Sequence, residues 1–288
     1  MTSPRIGFKR MVVGLPQSMA NRAAVETALD LAEFLNIELL ATFVADPTLP
    51  TLAGLSGARE LRALDQEWQA IDVAQITRDI DHAITVARQR FAESVKSRTM
   101  KTSFDIVAGA EVIASLIRAD DIVAIIEPTH PGEKITRHFT RLLDAAFETA
   151  AAILAVPRRI VRTTGPIMAV ATGPEDPSIR VALEIAAALR ERLIVVTQPG
   201  TLLSPEILAD AEQLGVQVEQ IAGSGLVANA SARAPFSAGP QERLRVVTRS
   251  RLADDAPRLF STLHGVPLLV VELDRAELAA EQEKRESR

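Results

Sequence analysis

The chain has 288 residues, no cysteine and a formal net charge of −5 at neutral pH. The lack of cysteine excludes disulfides and thiolate chemistry, and the acidic balance gives no electrostatic case for a nucleic-acid or anionic-membrane partner. Aromatic residues make up only 3% of the chain and hydrophobic residues 47%, so its cores must consist of Ala, Leu, Ile and Val, as in parallel sheets covered by helices.

The N-terminal segment predicts a strand, a helix and a second strand. Arg10–Leu15 is a short apolar run, Met19–Leu35 has helical apolar spacing that ends at Asn36, and Ile37–Ala45 is again strand-like. This order predicts parallel pairing with a right-handed crossover. The apolar run after the basic N-terminus is too short for a signal peptide, and no run reaches about 18 apolar residues. We therefore expect a cytoplasmic protein without a membrane span.

Thr48–Gly57 predicts a loop, and a long stretch of helical spacing follows over about Ala58–Lys96. This is longer than one crossover helix needs, so it either breaks near Asp72 or extends away from the domain. Trp68 falls on its apolar stripe, which favours a place in the core, with a contact between subunits as the alternative. Beyond this stretch, Phe104–Ala108 predicts a strand and Glu111–Arg118 a helix.

The segment from Asp121 to Pro157 predicts a strand, a loop, a helix and another strand. Ile122–Ile126 and Ile153–Val156 are β-branched apolar runs, as in strands buried on both faces. Glu127–Glu133 contains two prolines and a glycine and predicts a loop. Ligands of open parallel sheets bind beyond the carboxyl ends of the strands, so this loop predicts half of a ligand site.

After a charged, turn-prone segment at Arg158–Pro166 the pattern restarts. Asp176-Pro177 and Ser204-Pro205 predict helix starts, and Gly215 predicts the end of the second helix. A further helix is predicted over Asp255–His264. The predicted strands of this half are Ile167–Thr172, Leu193–Thr197, Val216–Ala222, Leu244–Thr248 and Val266–Leu273.

The two halves repeat strand for strand at an offset of roughly 155 residues, which indicates tandem domains. Met11–Ser18 aligns with Ile167–Pro174, and Ala152–Val156 aligns with Pro267–Val271. The domain prediction is an N-terminal domain at 1–157, a linker at 158–166, a C-terminal domain at 167–273 and a charged tail at 274–288.

This layout resembles the universal stress protein family, as two fused domains. The best local matches are Met11–Ser18, Phe43–Pro47 and Ile122–Val156, and the layout covers nearly the whole chain. The resemblance implies an α/β, Rossmann-like fold: two tandem open parallel five-stranded sheets, each of order 3-2-1-4-5, with helices on both faces. It also implies a homodimer, or a pseudo-dimer within one chain, through the last strands, and a non-enzymatic stress-response or regulatory function exerted on an unidentified protein partner.

Many members of this family bind ATP through an Asp after the first strand and a G-x2-G-x9-G-[ST] loop after the fourth. Glycines let backbone N–H groups approach phosphates. In this chain Pro16 and Thr172 take the Asp positions of the two halves, and Glu127, His130 and Thr140 take the glycine positions of the first. We expect no ATP binding of the family's usual kind, and the alternative is a variant loop that binds ATP or another adenine nucleotide.

The resemblance places any ligand in the N-terminal half. Arg137 and Arg141 begin the helix after the loop, where positive charge opposes the helix dipole unless an anion is bound. The alternative is a solvated basic face, or pairing with Glu133 and Asp144. The predicted ligand lining consists of Gly14, Pro16, Ser18, Val44, Asp46, Glu127, Thr129, His130, Gly132, Arg137 and Arg141.

A catalytic site finds little support in the sequence. Glu127, Thr129 and His130 share a loop, but no nucleophile accompanies them. The four histidines form no metal-ligand pattern. Gly223 and Gly225 are more typical of a flexible turn than of a phosphate loop. A nucleotide hydrolase is therefore the weaker alternative.

Overall fold

The structure of the protein is a computed structural model, and it describes residues 8–15, 22–45, 48–61, 67–108, 112, 115–127, 137–223, 242–249 and 265–272. Ten of its strands form one sheet and two form a separate hairpin. The strands are β1 (Arg10–Leu15), β2 (Glu38–Ala45), β3 (Arg59–Leu61), β4 (Trp68–Ala70), β5 (Thr102–Ala108), β6 (Asp121–Ile126), β7 (Ala152–Val156), β8 (Ile167–Val170), β9 (Leu193–Thr197), β10 (Val218–Ala222), β11 (Leu244–Thr248) and β12 (Leu268–Val271). The helices are α1 (Arg22–Phe34), α2 (Thr48–Ala53), α3 (Val73–Val95), α4 (Arg137–Thr149), α5 (Pro177–Leu189) and α6 (Pro205–Leu214).

The ten-stranded sheet has the order β10-β9-β8-β11-β12-β7-β6-β1-β2-β5. Numbered within its own half, each set of five strands runs 3-2-1-4-5. Every neighbouring pair is parallel except β7 with β12, which is antiparallel. The central strands are apolar and buried on both faces, as the continuous runs in the sequence predict. The α/β class with a mostly parallel sheet is confirmed.

The last strands of the two halves join them into one sheet. β7 and β12 pair with Ala152 opposite Val271 and Ala155 opposite Leu268. The two predicted five-stranded halves thus join edge to edge into one continuous sheet, because these last strands are buried and apolar on both faces and each covers the other's edge.

Helices cover both faces of the sheet. α1 and α5 pack on one face, where the buried side chains of both halves form one continuous cluster. α4 packs on the other face, where Leu142 and Leu143 belong to a second cluster that also contains Met168 and Val247 of the C-terminal half. Both cores thus extend across the joint between the halves.

The predicted helix starts and stops are confirmed where the structure describes them. Asp176 and Ser204 cap α5 and α6 with their side chains, and each is followed by proline. Gly215 ends α6 in the left-handed conformation, with φ of +69°. Asn36 likewise adopts a positive φ of 52° after α1.

The predicted helix over Ala58–Lys96 is wrong in its first third. Arg59–Leu61 and Trp68–Ala70 form an antiparallel hairpin, and the helix begins only at Val73. Asp72 marks the break, because its carboxylate accepts a hydrogen bond from the N–H of Gln75 at 3.1 Å and caps α3. The predicted loop at Thr48–Gly57 also contains the short helix α2, whose proline lies in the first turn, where proline is tolerated.

Some predicted segments lie outside the described residues, namely the helix at Asp255–His264, the tail at 274–288 and part of Glu111–Arg118. Within the described ranges, none of the helices has both the length and the apolar character needed to cross a bilayer.

Candidate functional site

The strand order defines one crevice in each half. Strand order reverses between β1 and β6 in the N-terminal half and between β8 and β11 in the C-terminal half. In open parallel sheets the carboxyl ends of strands at such a reversal form the usual ligand site. The β1/β6 crevice and the β8/β11 crevice are therefore the two candidate ligand sites.

Two residues of the predicted lining lie on N-terminal strands. Gly14 of β1 pairs with Thr42 of β2, and Val44 of β2 pairs with Val107 of β5; Gly14 and Val44 are both half-buried. A methyl group built on Gly14 would lie 3.6 Å from Cδ2 of Leu142, an ordinary contact distance. α4 therefore packs against the end of β1 next to the predicted site.

Glu127 directly follows β6 and is held at the joint between β7 and the linker. Its N–H donates to the carbonyl of Val156 at 2.9 Å, and its carboxylate accepts from the N–H of Arg158 at 2.9 Å. The carboxylate is thus held at the end of β6, at the position that the resemblance assigns to the first glycine of a phosphate loop.

The rest of the predicted lining lies outside the described residues, and its arrangement stays a prediction. The backbone of α4 is described from Arg137, but the side chains of Arg137 and Arg141 are not. The other members outside the description are Pro16, Ser18, Asp46, Thr129, His130 and Gly132.

In the C-terminal half a buried carboxylate lies at the crevice. Asp176 is only 6% exposed, and its two carboxylate oxygens accept five hydrogen bonds. Thr172 donates its N–H at 2.8 Å and its hydroxyl at 2.7 Å, and Ser178 donates its N–H at 3.0 Å and its hydroxyl at 2.7 Å. The hydroxyl of Thr248, at the end of β11, is the fifth donor.

This network is closed. Two carboxylate oxygens offer about four lone-pair sites, so five donors leave none for a ligand. Burial alone would raise the pKa of Asp176, but the hydrogen bonds from Thr248, Thr172 and Ser178 outweigh it and hold the pKa below its ordinary value. A carboxylate with a lowered pKa is a weak base at neutral pH, which argues against general-base catalysis here.

Sequence reasoning identified Asp176 only as a helix cap. Its third partner residue, Thr248, is 72 residues away in the chain, and the pairing of β8 with β11 brings the two together. The sequence signal that could have indicated this network is a threonine at the carboxyl end of each strand. Thr172 follows β8 by two residues, and Thr248 is the last residue of β11.

The N-terminal half has no equivalent of this network in its sequence. The alignment of Ala152–Val156 with Pro267–Val271 makes Val156 and Val271 equivalent. Ile126 pairs with Val156 and Thr248 pairs with Val271, so Ile126 takes the position of Thr248. Pro16 takes the position of Thr172. Neither side chain can donate a hydrogen bond, so the two crevices have become chemically different.

Arg249 connects the two halves beside their joint. It follows β11, and its guanidinium contacts the carboxylate of Glu272 and donates to the carbonyl of Ala150 at 2.8 Å. It also lies 5.6 Å from the ring centre of Phe147 in α4. A cation at the C-terminal end of a helix is favoured by the dipole, so the C-terminal half stabilises the helix that follows the N-terminal loop. By the same alignment, Arg249 corresponds to Glu127.

A small cleft lies between α1 and α5 on the opposite face. The guanidinium of Arg243 lies 5.7 Å from the ring centre of Phe34, and Arg162 of the linker lines the same cleft. Its volume is about 30 Å³, whereas sites for small organic ligands hold roughly 300–1,000 Å³. The cleft is therefore too small to enclose a nucleotide. Within the described ranges, no cluster of three or more His, Asp or Glu residues is arranged to hold a metal ion.

Comparison with solved structures identifies the fold. The chain is similar to a universal stress protein from Archaeoglobus fulgidus DSM 4304, with a TM-score of 0.57 at 12% identity over 93% of this chain and 97% of that one. It is also matched by a functionally unknown protein from Pseudomonas aeruginosa PAO1, with a TM-score of 0.48 and 16% identity over 95% of this chain and 98% of that one. A third match is the cytoplasmic domain of a prokaryotic cation chloride cotransporter, with a TM-score of 0.49 and 10% identity over 94% of this chain and 99% of that one.

Sequence comparison adds nothing to this likeness. No protein-family model matches the chain, and no curated protein matches it. At 12% identity the first structure shows that this chain has the universal stress protein fold.

Proposed function

We propose that this chain is a tandem member of the universal stress protein family and a non-enzymatic regulatory protein of the stress response. Its fold is that of a universal stress protein from Archaeoglobus fulgidus over nearly the full length of both chains. The domain limits at 1–157 and 167–273, the linker at 158–166 and a cytoplasmic location are parts of this proposal.

The observation that carries the proposal is the closed network around Asp176. It occupies the crevice of the C-terminal half with five internal hydrogen bonds, so a ligand there would have to displace a saturated, buried carboxylate. Such a displacement leaves buried polar groups without partners, at a cost of about 1–3 kcal/mol for each group. This half therefore acts as a structural partner of the other.

The sequence of the N-terminal half also departs from the glycine pattern with which many members of the family hold phosphates. Glu127 follows β6 where a backbone glycine would approach a phosphate, and its carboxylate is bound to the N–H of Arg158. A carboxylate about 4 Å from a phosphate costs on the order of 4 kcal/mol at an effective dielectric of 20. We therefore propose that the protein acts through contacts with other macromolecules and not through ATP.

The test is a nucleotide assay on the freshly purified full chain. With one Trp and no Tyr the protein absorbs weakly at 280 nm, so bound nucleotide would raise the 260/280 absorbance ratio visibly. Titration calorimetry with Mg-ATP follows. A protein-like ratio and no heat of binding support the proposal, whereas a high ratio or saturable heat overturns it.

Matched variants locate any nucleotide that does bind. Arg137→Glu should abolish binding if the start of α4 holds the phosphates, and Glu127→Gly should strengthen it by removing the negative charge. Asp176→Asn serves as the control in the other half. Binding that follows Arg137 and Glu127 but not Asp176 would establish an adenine-nucleotide site with a variant loop in the N-terminal half.

A further inference from the structure

The N-terminal half carries a hairpin that the C-terminal half lacks. Residues 46–72 connect β2 to α3, whereas only residues 198–204 connect β9 to α6. The longer connection contains β3 and β4, which pair with each other and lie outside the ten-stranded sheet. Because the other half folds without such a hairpin, the main sheet does not require it, which leaves the hairpin available for another role.

The hairpin turns its apolar face outward. Leu61 of β3 pairs directly with Trp68 of β4. Two residues along each strand, Arg59 pairs with Ala70. Side chains alternate between the two faces of a strand, so these two pairs share one face, and all four side chains are exposed. Trp68 is 63% exposed, so the sequence interpretation of this residue as part of a helical core is wrong.

The polar face of the hairpin is the better covered one. Glu60 and Gln69 pair between the two outward pairs and are half-buried. In an ordinary surface sheet the apolar face is covered and the polar face meets water. The reverse arrangement leaves Leu61 and Trp68 in water, and exposed apolar surface of this kind marks a contact with another molecule.

The hairpin also has an open edge. β4 pairs with β3 on one side, and the described part of the chain places no strand on its other side. An edge strand presents backbone N–H and C=O groups with which an extended peptide can pair. Two-stranded hairpins are marginally stable in water, and a third strand stabilises them. The outer edge of β4 can therefore accept one further strand.

The charge on the outward face selects the sequence of that strand. Among the described residues, no carboxylate lies within ion-pair distance of the exposed guanidinium of Arg59. Ala70, directly opposite, is small, so the arginine side chain can extend over it toward a strand beside β4. The residue of that strand next to Ala70 should carry a carboxylate. The residue two positions away lies next to Trp68 and should be apolar.

We propose that an extended segment of a partner protein, with an apolar and an acidic residue two positions apart, binds here as a third strand beside β4. Its apolar side chain packs on Trp68, and its carboxylate pairs with Arg59. Backbone hydrogen bonds supply the affinity and the two side chains supply the specificity. The inference rests on the proposed function, because it names the kind of macromolecule that the regulatory protein contacts.

The fluorescence of Trp68 reports this contact directly, because it is the only tryptophan and the chain has no tyrosine. The probes are short blocked peptides in which one apolar residue (Val, Leu or Phe) and one Glu, two positions apart, stand in a background of Thr. Titration into the full chain should move the emission maximum to shorter wavelength and saturate, as the indole ring leaves water. Absence of a saturable shift with every one of these peptides overturns the proposal.

N-methylation of the peptide distinguishes strand addition from contact through side chains alone. The N–H groups of alternate residues in a strand point to the same edge. Methylation of the nitrogens of the apolar residue and Glu, or of the Thr residues between and beside them, therefore blocks one edge at a time. One of these two sets should abolish binding and the other should leave it nearly unchanged. Equal effects of the two sets overturn strand addition.

Substitutions in β4 test which face of the hairpin is used. Trp68→Thr should weaken binding by roughly tenfold or more, as expected for a central anchor. Gln69→Thr is the matched control, because it lies next in the same strand on the other face, and threonine suits a strand at both positions. Fluorescence anisotropy of a labelled peptide follows binding in both variants, and circular dichroism confirms that they are folded. Equal losses in the two variants would refute the assigned face.

A charge exchange tests the role of Arg59. Arg59→Glu should weaken binding of the Glu peptide and strengthen binding of a peptide with Lys in its place, and added salt should weaken the original pair. Indifference of the Arg59→Glu variant to the charge of the peptide contradicts the assigned specificity. A shift of the emission maximum to shorter wavelength when the chain alone is concentrated means that a second copy covers the face, which also overturns the proposal.

The peptide and nucleotide assays fail separately. Absence of peptide binding in a protein that also gives no heat with Mg-ATP overturns strand addition and leaves the proposed function standing. Saturable heat with Mg-ATP in a protein whose affinity for the peptide is unchanged overturns the proposed function and leaves the strand site standing.

Discussion

Leu154 of β7 and Leu269 of β12 lie directly opposite each other at the joint between the two halves. The alignment of the halves also makes these two leucines equivalent, so each faces its own counterpart. The pairing of Ile153 with Val270 and of Ala155 with Leu268 is symmetric about them. The two halves are thus related by a local two-fold axis through this pair, in the manner of an isologous dimer interface.

We expect Leu154 and Leu269 to be energetically coupled. Both side chains are fully buried, so each change to Ala should lower the free energy of unfolding by about 2–5 kcal/mol. Because the pair shares one face of the joint, the double variant should deviate from additivity by about 0.5–3 kcal/mol in urea unfolding.

Leu193 provides the control for this cycle. It is equally buried but lies on β9, four strands away from β7. Leu154→Ala and Leu193→Ala should add within about 0.5 kcal/mol. Full additivity of Leu154→Ala and Leu269→Ala would contradict a packed joint.

Arg249→Met should lower the free energy of unfolding by about 1–3 kcal/mol. The change keeps an unbranched apolar stem like the aliphatic part of arginine, but it removes the cation from Glu272 and the donor from the carbonyl of Ala150. Arg192→Met is the control, because its ion pair with Glu219 is half exposed and should contribute about 0–1 kcal/mol. Equal losses in the two variants would show that the inter-half contact is an ordinary surface pair.

Asp176→Asn should lower the free energy of unfolding by about 1–3 kcal/mol at pH 7, because the amide cannot accept all five hydrogen bonds. The pKa of Asp176 is lower in the folded state than the value of about 3.9 expected when unfolded. Its contribution is therefore complete above about pH 4 and is lost as the pH falls through the folded pKa. Thermal unfolding between pH 7 and pH 2.5 should show the difference between the two proteins shrinking below about pH 4.

Glu175→Gln is the control for this pH series. Glu175 precedes Asp176 but is exposed, so its replacement should change stability by no more than about 0.5 kcal/mol. A difference between wild type and Asp176→Asn that persists unchanged at pH 2.5 would contradict a stabilising charge on Asp176.

Gly265→Ala should destabilise the protein by about 2–4 kcal/mol in urea unfolding. Gly265 has φ of +83°, and an added Cβ would overlap Cγ2 of Val161 and lie 3.1 Å from the carbonyl oxygen of Arg159. The left-handed conformation alone costs a residue with a Cβ about 1–2 kcal/mol, and the overlap with the linker adds to it.

Gly200 separates these two costs. It has a similar φ of +85°, but nothing lies within 4 Å of an added Cβ. Gly200→Ala should therefore show only the conformational cost of about 1–2 kcal/mol. A loss in Gly265→Ala no larger than in Gly200→Ala would mean that the linker does not pack against Gly265.

The parts of the fold that local patterns determine were predictable. Runs such as Ile122–Ile126 are apolar on both faces and fit only a covered strand, and Asp176-Pro177 satisfies the start of a helix within two residues. Neither depends on a distant partner. The continuous sheet was harder to predict from local patterns, because the pairing of β7 with β12 depends on two segments more than 100 residues apart.

The errors have specific physical causes. The segment around Trp68 has helical apolar spacing, yet the cap at Asp72 starts the helix later and the preceding residues pair as strands. Asp176 and the proline after it form a complete local signal for a helix start. The hydrogen bond from Thr248 has no local signal, because Thr248 is 72 residues away. For the predicted ligand lining, the structure gives the strand positions of Gly14 and Val44 and the contacts of Glu127. That all the residues of the lining surround one ligand stays a prediction.

Joining the halves in one chain has a genetic consequence. In a dimer of identical subunits every substitution appears on both sides of the axis, so a residue that improves one side must also be tolerated on the other. Here each side can change alone. Arg249 and Glu127 occupy equivalent positions with opposite charges, and the first contacts Glu272 while the second accepts from the backbone of Arg158. Because the two halves share one chain, residues that hold the sheet together can be kept in one half while residues at the exposed end of the other half are substituted independently.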